Sequence, residues 1–204
     1  KMPELAPELR VRSLYAEVNQ GLSMDQAITE AHRCLDCKNP TCVKGCPVNI
    51  NIPAFIKQVE VGNILGAAEV IQQSSTLPAV CGRVCPQEKQ CEAQCIHLKM
   101  GHEPVAIGYL ERFVADNSRL KAPHDTSVVG DPAEATGDKI AVVGSGPAGL
   151  AFAGDMAKWG YQVTVFEALH EVGGVLRYGI PEFRLPNAVV DREIEGLRQL
   201  GVTF

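Results

Sequence analysis

Eight cysteines, every cysteine in the chain, stand in two groups of four. Cys34, Cys37, Cys42 and Cys46 read C-x2-C-x4-C-x3-C-P, and Cys81, Cys85, Cys91 and Cys95 read C-x3-C-P-x4-C-x3-C. Thiolates are soft anionic ligands. Short gaps let a looping backbone wrap three of them around one face of an inorganic core, while a distant fourth ties two parts of the chain together. The chemistry this predicts is iron–sulfur binding at two clusters. Two structural zinc sites would use the same counts without redox chemistry. Disulfides fit poorly with a chain that opens on no secretory signal and has enough apolar mass for a core.

A cysteine followed at once by proline, as at Cys46-Pro47 and Cys85-Pro86, resembles the run of bacterial ferredoxins, whose last cysteine serves the other cluster. Crossed ligation is therefore expected, with Cys34, Cys37 and Cys42 on one cluster and Cys46 on its partner.

A second constellation begins after residue 138. Gly144, Gly146 and Gly149 in GSGPAG follow an apolar run, Ile140 to Val143, and precede an Ala-rich helical stretch. In that setting the first glycine makes a tight turn and the second admits a pyrophosphate to the backbone. The third lets helix and strand pack closely, and the helix N-terminus faces the phosphate charge. Glu167 follows Gly144 by 23 residues. An acid there accepts hydrogen bonds from a ribose and favours FAD or NAD over a 2′-phosphate.

The elements that must position these residues are legible in outline. Residues 1–33 read as helical, with Leu9, Leu14 and Val18 apolar, and Ser23 with Gln26 forms a capping box ahead of Ala27, Ile28 and Ala31. Residues 34–51 and 77–96 read as cysteine loops. Helices are expected around Phe55, Ile56 and Val59, from Ile64 to Gln73, and from Pro104 to about Asn117 with Ala106, Tyr109, Leu110 and Phe113 inward. A linker over 118–138 separates this from a buried strand at 140–143, a helix closed by Gly160 and a strand at 162–166. A helix capped by Asn187 with Val190, Ile194 and Leu197 inward then leads to a third strand at Val202. The expected fold class is an α-helical iron–sulfur domain over 1–120, the linker 121–138, and the incomplete start of an α/β Rossmann-like FAD-binding domain over 139–204.

Hydrophobic residues at 46% and charged residues at 21% mark a globular chain, and a net charge of −5 argues against a nucleic-acid surface. With no membrane-spanning stretch the expected setting is soluble and cytoplasmic, where thiols stay reduced. A start at Lys1 and an end at Phe204, inside a nucleotide-binding pattern, point to a piece of a longer protein.

With both constellations in hand, the chain resembles the glutamate synthase small (beta) subunit family. The same module recurs in the flavin subunit of NADH-dependent ferredoxin:NADP oxidoreductase and the N-terminal part of dihydropyrimidine dehydrogenase. The likeness runs through CLDCKNPTCVKGCPVNINIPAFI, AVCGRVCPQEKQCEAQC, VAIGYLERFVAD, KIAVVGSGPAGLAFAGDMAKWGYQVTVFEA and VGGVLRYGIPEFRLP. It implies two 4Fe–4S clusters, FAD, and NADPH or NADH as the hydride source. It puts Cys34, Cys37, Cys42 and Cys95 on one cluster, and Cys46, Cys85, Cys91 and Glu111 on the other, leaving Cys81 without iron. Gly144, Gly146, Pro147, Ala148, Gly149 and Glu167 become FAD contacts, joined by Gly174, Val175 and Arg184. The implied electron acceptor is a glutamate synthase large subunit, which reduces the imine formed from 2-oxoglutarate and ammonia, or another acceptor. The relatives' inserted NAD(P)H domain and the segment that completes the FAD domain are absent from this sequence.

Overall fold

The computed structural model describes residues 2–121 and 136–204. In chain order they form α1 (Pro7–Arg10), α2 (Met24–Ala31), α3 (Thr41–Gly45), α4 (Ile52–Glu60), α5 (Ile64–Gln72), α6 (Pro78–Val84), α7 (Ile96–Lys99) and α8 (Ile107–Lys121). Then come β1 (Lys139–Val143), α9 (Pro147–Lys158), β2 (Gln162–Phe166), α10 (Val175–Tyr178) and α11 (Asn187–Gln199). These residues divide into two compact units, one of residues 2–4 and 19–121, the other of residues 5–18 and 136–204.

In the first unit, Ser23 caps α2 with the full reciprocal box: its hydroxyl accepts from Gln26 N–H while the Gln26 side chain accepts from Ser23 N–H. Pro53 sits in the first turn of α4 behind the Asn51 cap. Gly62, at φ 74, ends that helix, and Asn63 caps α5 through Gly66 N–H. α4 and α5 pack on each other and on α8. The core at their junction contains Phe55, Ile56, Val59, Ile71, Leu110 and Val114. Burying each such side chain contributes roughly 1.5–3 kcal/mol.

Several expectations about residues 1–121 fail. Residues 11–22 are not helical, because the Ser13 hydroxyl accepts from Tyr15 and Ala16 N–H and Gly21 turns at φ 80. Leu9 and Leu14 are exposed. Neither cysteine stretch is a plain loop, since α3 interrupts the first, and in the second Pro78 opens α6 and two short 3-10 turns follow. α8 starts at Ile107, beyond Pro104, and runs to Lys121, past the expected end. Its buried side is Ile107, Leu110, Phe113, Val114 and Ala115, with Ala106 and Tyr109 only half-buried. The rest of the expected linker, 122–135, lies outside the described residues.

In the second unit, β1 and β2 pair in parallel, from Lys139 opposite Gln162 to Val143 opposite Phe166. Thr203 bridges Thr164 in parallel, where the third strand was expected. α9 packs on both strands and α11 along α9. β1 is not the buried strand the apolar run predicts: Val142 is covered, yet Val143 is 89% exposed, because the described helix against the strands covers one face. Pro186, not Asn187, occupies the cap position of α11, whose Val190, Ile194 and Leu197 are buried.

Candidate functional site

All eight cysteines are free thiols, Cys91 and Cys95 buried and the others half-buried. The two stretches are pressed together by α3. The Thr41 hydroxyl donates to Gln94 O at 2.5 Å, and a Cβ on Gly45 would lie 2.7 Å from Gln90 O. Only a glycine allows that approach.

This contact carries Cys95 across to the first group. Cys34, Cys37, Cys42 and Cys95 line one small cavity with Ile52, Ile56 and His97. Burial pushes the Cys42 thiol up to about 11, and the neighbouring Cys34, Cys95 and Cys37 add to the rise. Cys34 is raised by burial, opposed by a backbone hydrogen bond from Asp36 and by Lys57, with Cys37 adding to the rise.

Cys46 points to a different neighbourhood. Cys91 is pushed up to about 12 by burial, then by Glu92, Glu111 and Cys46. Cys81 is raised by its hydrogen bond to Cys85, by burial and by Glu111, while Cys85 is drawn down to about 7 by the same bond. The second gathering is therefore Cys46, Cys81, Cys85, Cys91 and the buried Glu111, which is 6% exposed.

What brings α6 to α8 is Gly82, whose Cβ would stand 2.6 Å from Arg112 N and 2.7 Å from Arg112 Cα. Buried Arg83 spans the same seam, donating to Asp116 at 2.9 and 2.8 Å. Spacing gives no sign of several supporting residues. Gln87 donates through Nε2 to Cys81 O at 3.2 Å, and Glu92 accepts from Gly108 N–H at 3.1 Å. His97 Nε2 lies 2.8 Å from Arg33 O, so Nε2 carries a hydrogen and donates it to that carbonyl.

The donor set fits an iron–sulfur core. Crowded, buried thiols that raise one another ionise together only where a thiophilic cation such as iron offsets their charge, and soft sulfur matches it. Among the described residues no three His, Cys, Asp or Glu side chains close on one point as a single ion requires.

At the nucleotide site, Gly144 turns at φ 95 and Gly146 is the N-cap of α9, with Pro147 at N1 and Ala148 behind it. Gly149 is required by packing, since its Cβ would stand 2.1 Å from Gly144 O. Gly146 is different. Its φ of −67 suits any residue, and nothing lies within 4 Å of a Cβ there. The fold does not need that glycine, whereas a phosphate approaching the helix N-terminus does.

Gly174 turns at φ 52 ahead of α10, its Cβ position 2.8 Å from Gly146 Cα, so the Gly174-Val175 turn abuts the glycine loop. Val175 is exposed, and so is Arg184 in the segment before α11. Glu167 directly follows β2 and accepts from Ser145 Oγ and, at 2.9 Å each, from Ser145 and Leu169 N–H. Ser145 Oγ, Leu169 N–H and Ser145 N–H together hold its carboxyl down to about 2. Fully buried Ser145 also accepts from Gly173 N–H at 3.0 Å, making it the hub of the loop.

A family profile described as dihydropyrimidine dehydrogenase domain II, 4Fe-4S cluster, matches residues 10–122, more than half of the chain. The chain belongs to this family. Residues 142–200 match an NAD(P)-binding Rossmann-like domain. The architecture is therefore a helical iron–sulfur domain followed by part of a Rossmann-like domain.

Relatives carry the same pairing. The chain is 38% identical over 204 residues to a glutamate synthase [NADPH] small chain of Halomonas elongata, covering 99% of this chain and 42% of the relative. It is 40% identical over 198 residues to the small chain of Escherichia coli, covering 96% and 41%. It is also 41% identical over 178 residues to the NAD-dependent dihydropyrimidine dehydrogenase subunit PreT of Escherichia coli, covering 87% and 42%. The chain thus spans about two fifths of the length of the curated relatives it matches. Among its described residues no helix is long and apolar enough to cross a membrane.

Proposed function

We propose that the chain is the electron-input module of an NAD(P)H-dependent flavin and iron–sulfur oxidoreductase, of the glutamate synthase small-subunit type. The donors for two 4Fe–4S clusters lie within residues 1–120 and the first part of the FAD site within 139–204, with 121–138 between them, residues 5–18 belonging to the second compact unit. The observation that supports this reading is the division of the donors into two gatherings, Cys34, Cys37, Cys42 and Cys95 in one and Cys46, Cys81, Cys85, Cys91 and Glu111 in the other; the resemblance leaves Cys81 without iron.

When bound, the flavin accepts a hydride from NAD(P)H and releases its electrons singly to the clusters. The chain's part is to bind and orient. The thiolates fix the iron, and Glu111 supplies one hard ligand among soft ones, which sets the two clusters apart in potential. Gly146 opens the helix N-terminus to the pyrophosphate, and Glu167, held ionised by Ser145 and Leu169, faces the ribose. Val175 and Arg184 complete the flavin side. The resemblance places the nicotinamide site in a further domain, not in residues 139–204. The setting is the cytoplasm, and the electrons leave for a glutamate synthase large subunit.

A second acceptor has its own support, since the matching family is named for dihydropyrimidine dehydrogenase and PreT is as similar as the small chains. The test is anaerobic preparation with iron, acid-labile sulfide and flavin counted, then NAD(P)H-driven turnover of the full-length protein with each partner. Glutamate formed only with the large subunit supports the first reading, and pyrimidine reduction the second. A colourless zinc-loaded protein refutes both.

A further inference from the structure

Gly173 and Gly174 turn at φ 133 and 52. Glycine has the most backbone freedom to lose, so a Gly-Gly turn keeps its place only where neighbours hold it. This one is held from two sides. Towards α11, Arg177 Nε donates to Val172 O at 3.0 Å while its guanidinium pairs with Asp191. Towards the glycine loop stands Ser145, fully buried, whose hydroxyl accepts from Gly173 N–H at 3.0 Å. The same hydroxyl donates to Glu167. An N–H can only donate and a carboxylate only accept, so both directions are fixed and one hydroxyl fills both roles at once. Glu167 has two further donors, Ser145 N–H and Leu169 N–H, and would stay bound without the hydroxyl. The buried Gly173 N–H would lose its acceptor.

We propose that Ser145 is a positioning residue whose hydroxyl clamps the Gly173-Gly174 turn against the glycine loop, and that this clamp slows the release of FAD. This rests on the reading above that residues 139–204 hold the first part of an FAD site. A Cβ on Gly174 would stand 2.8 Å from Gly146 Cα, so the turn lies directly against the residue where a pyrophosphate approaches α9. Without the hydroxyl, Arg177 still ties Val172 to α11, so the turn loosens on the loop side alone.

The test uses the full-length protein, wild type and Ser145→Ala. Peptide-resolved amide hydrogen exchange is measured on the flavin-depleted form, and the rate of FAD release on the loaded form. In Ser145→Ala, protection should fall over residues 172–176 and hold in β1 and α9. FAD should leave about tenfold faster, the scale of one buried hydrogen bond. Ser145→Cys, close in shape with a weaker donor and acceptor, should fall between the two. In a Glu167→Ala background, adding Ser145→Ala should still speed release, because the acid and the turn are separate arms of the hydroxyl. Wild-type release from Ser145→Ala, or no further effect once Glu167 is alanine, overturns the proposal and leaves the FAD reading intact. So does protection lost evenly across residues 136–204, which marks a structural role only. Wild type that takes up no flavin overturns the FAD reading, and the proposal with it.

Discussion

Gly146 and Gly149 belong to one motif but carry different burdens, and alanine substitution separates them. In Gly149→Ala the new methyl would stand 2.1 Å from Gly144 O, a backbone atom of the turn leaving β1. Helix or turn must move by more than an ångström, an overpacking cost of about 1–3 kcal/mol. For a chain of this size that lowers Tm by roughly 2–12 °C. In Gly146→Ala the methyl meets nothing within 4 Å at a φ open to any residue. The loss of unfolded-chain freedom stabilises by about 0.4–1 kcal/mol, and alanine's poorer N-capping offsets a similar amount. Tm should therefore stay within a few degrees of wild type. The methyl would nonetheless occupy the path of a pyrophosphate to α9, so bound FAD should drop sharply. Circular dichroism melts and FAD retained per chain after gel filtration measure the two effects. The reasoning is refuted if Gly146→Ala melts as low as Gly149→Ala, or if it keeps wild-type flavin.

Four further outcomes are expected. Cys42→Ser and Cys91→Ser should each lower iron and sulfide to about half, because each removes a ligand from a different gathering; equal loss of both clusters in either variant would count against the division. Cys42 and Cys91 keep their protons to about 11 and 12 when folded, while unfolded thiols release theirs near ~8.5. The unfolded metal-free chain then binds fewer protons, so stability present below about pH 8.5 should decline as pH rises beyond it. Iron loading should speed up over the same rise, since each ligand must lose a proton, and paired melts and reconstitution time courses would show both. For Glu167 the sign is opposite. With its carboxyl near 2 when folded and about 4.3 when unfolded, its contribution is full above the unfolded value and lost as pH falls towards 2. Glu167→Gln should flatten acid unfolding across that window. Gly82→Ala should cost about 1–3 kcal/mol by forcing α6 off Arg112, and should also lower iron content by displacing Cys81 and Cys85 from Glu111; a stable variant with normal iron would show that the seam yields.

Local rules were enough for some features and not for others. The capping box at Ser23 and Gln26, the break at Gly62-Asn63, the turn at Gly160 and the glycine fingerprint each depend on a few neighbouring residues. Residues 11–22 went against the apolar pattern because Ser13 offers the backbone a competing partner. The burial of β1 and the inward side of α8 depend on which elements lie across from them, which no local period states.

The amino-acid sequence by itself determined that eight thiols come in two spaced groups, that a phosphate-binding turn follows them, and that an acid ends the next strand. Ligand type and backbone freedom are properties of individual residues, so order along the chain suffices to read them. Spacing left the division of the thiols open and the resemblance implied it; the tertiary structure is what brings Cys95 to Cys34, Cys37 and Cys42, and Cys46 to Cys91 and Glu111. That outcome hangs on close approaches at Gly45 and Gly82, where a missing side chain lets distant backbones touch. Contacts between residues far apart in sequence are set by packing, and packing has no signature in spacing.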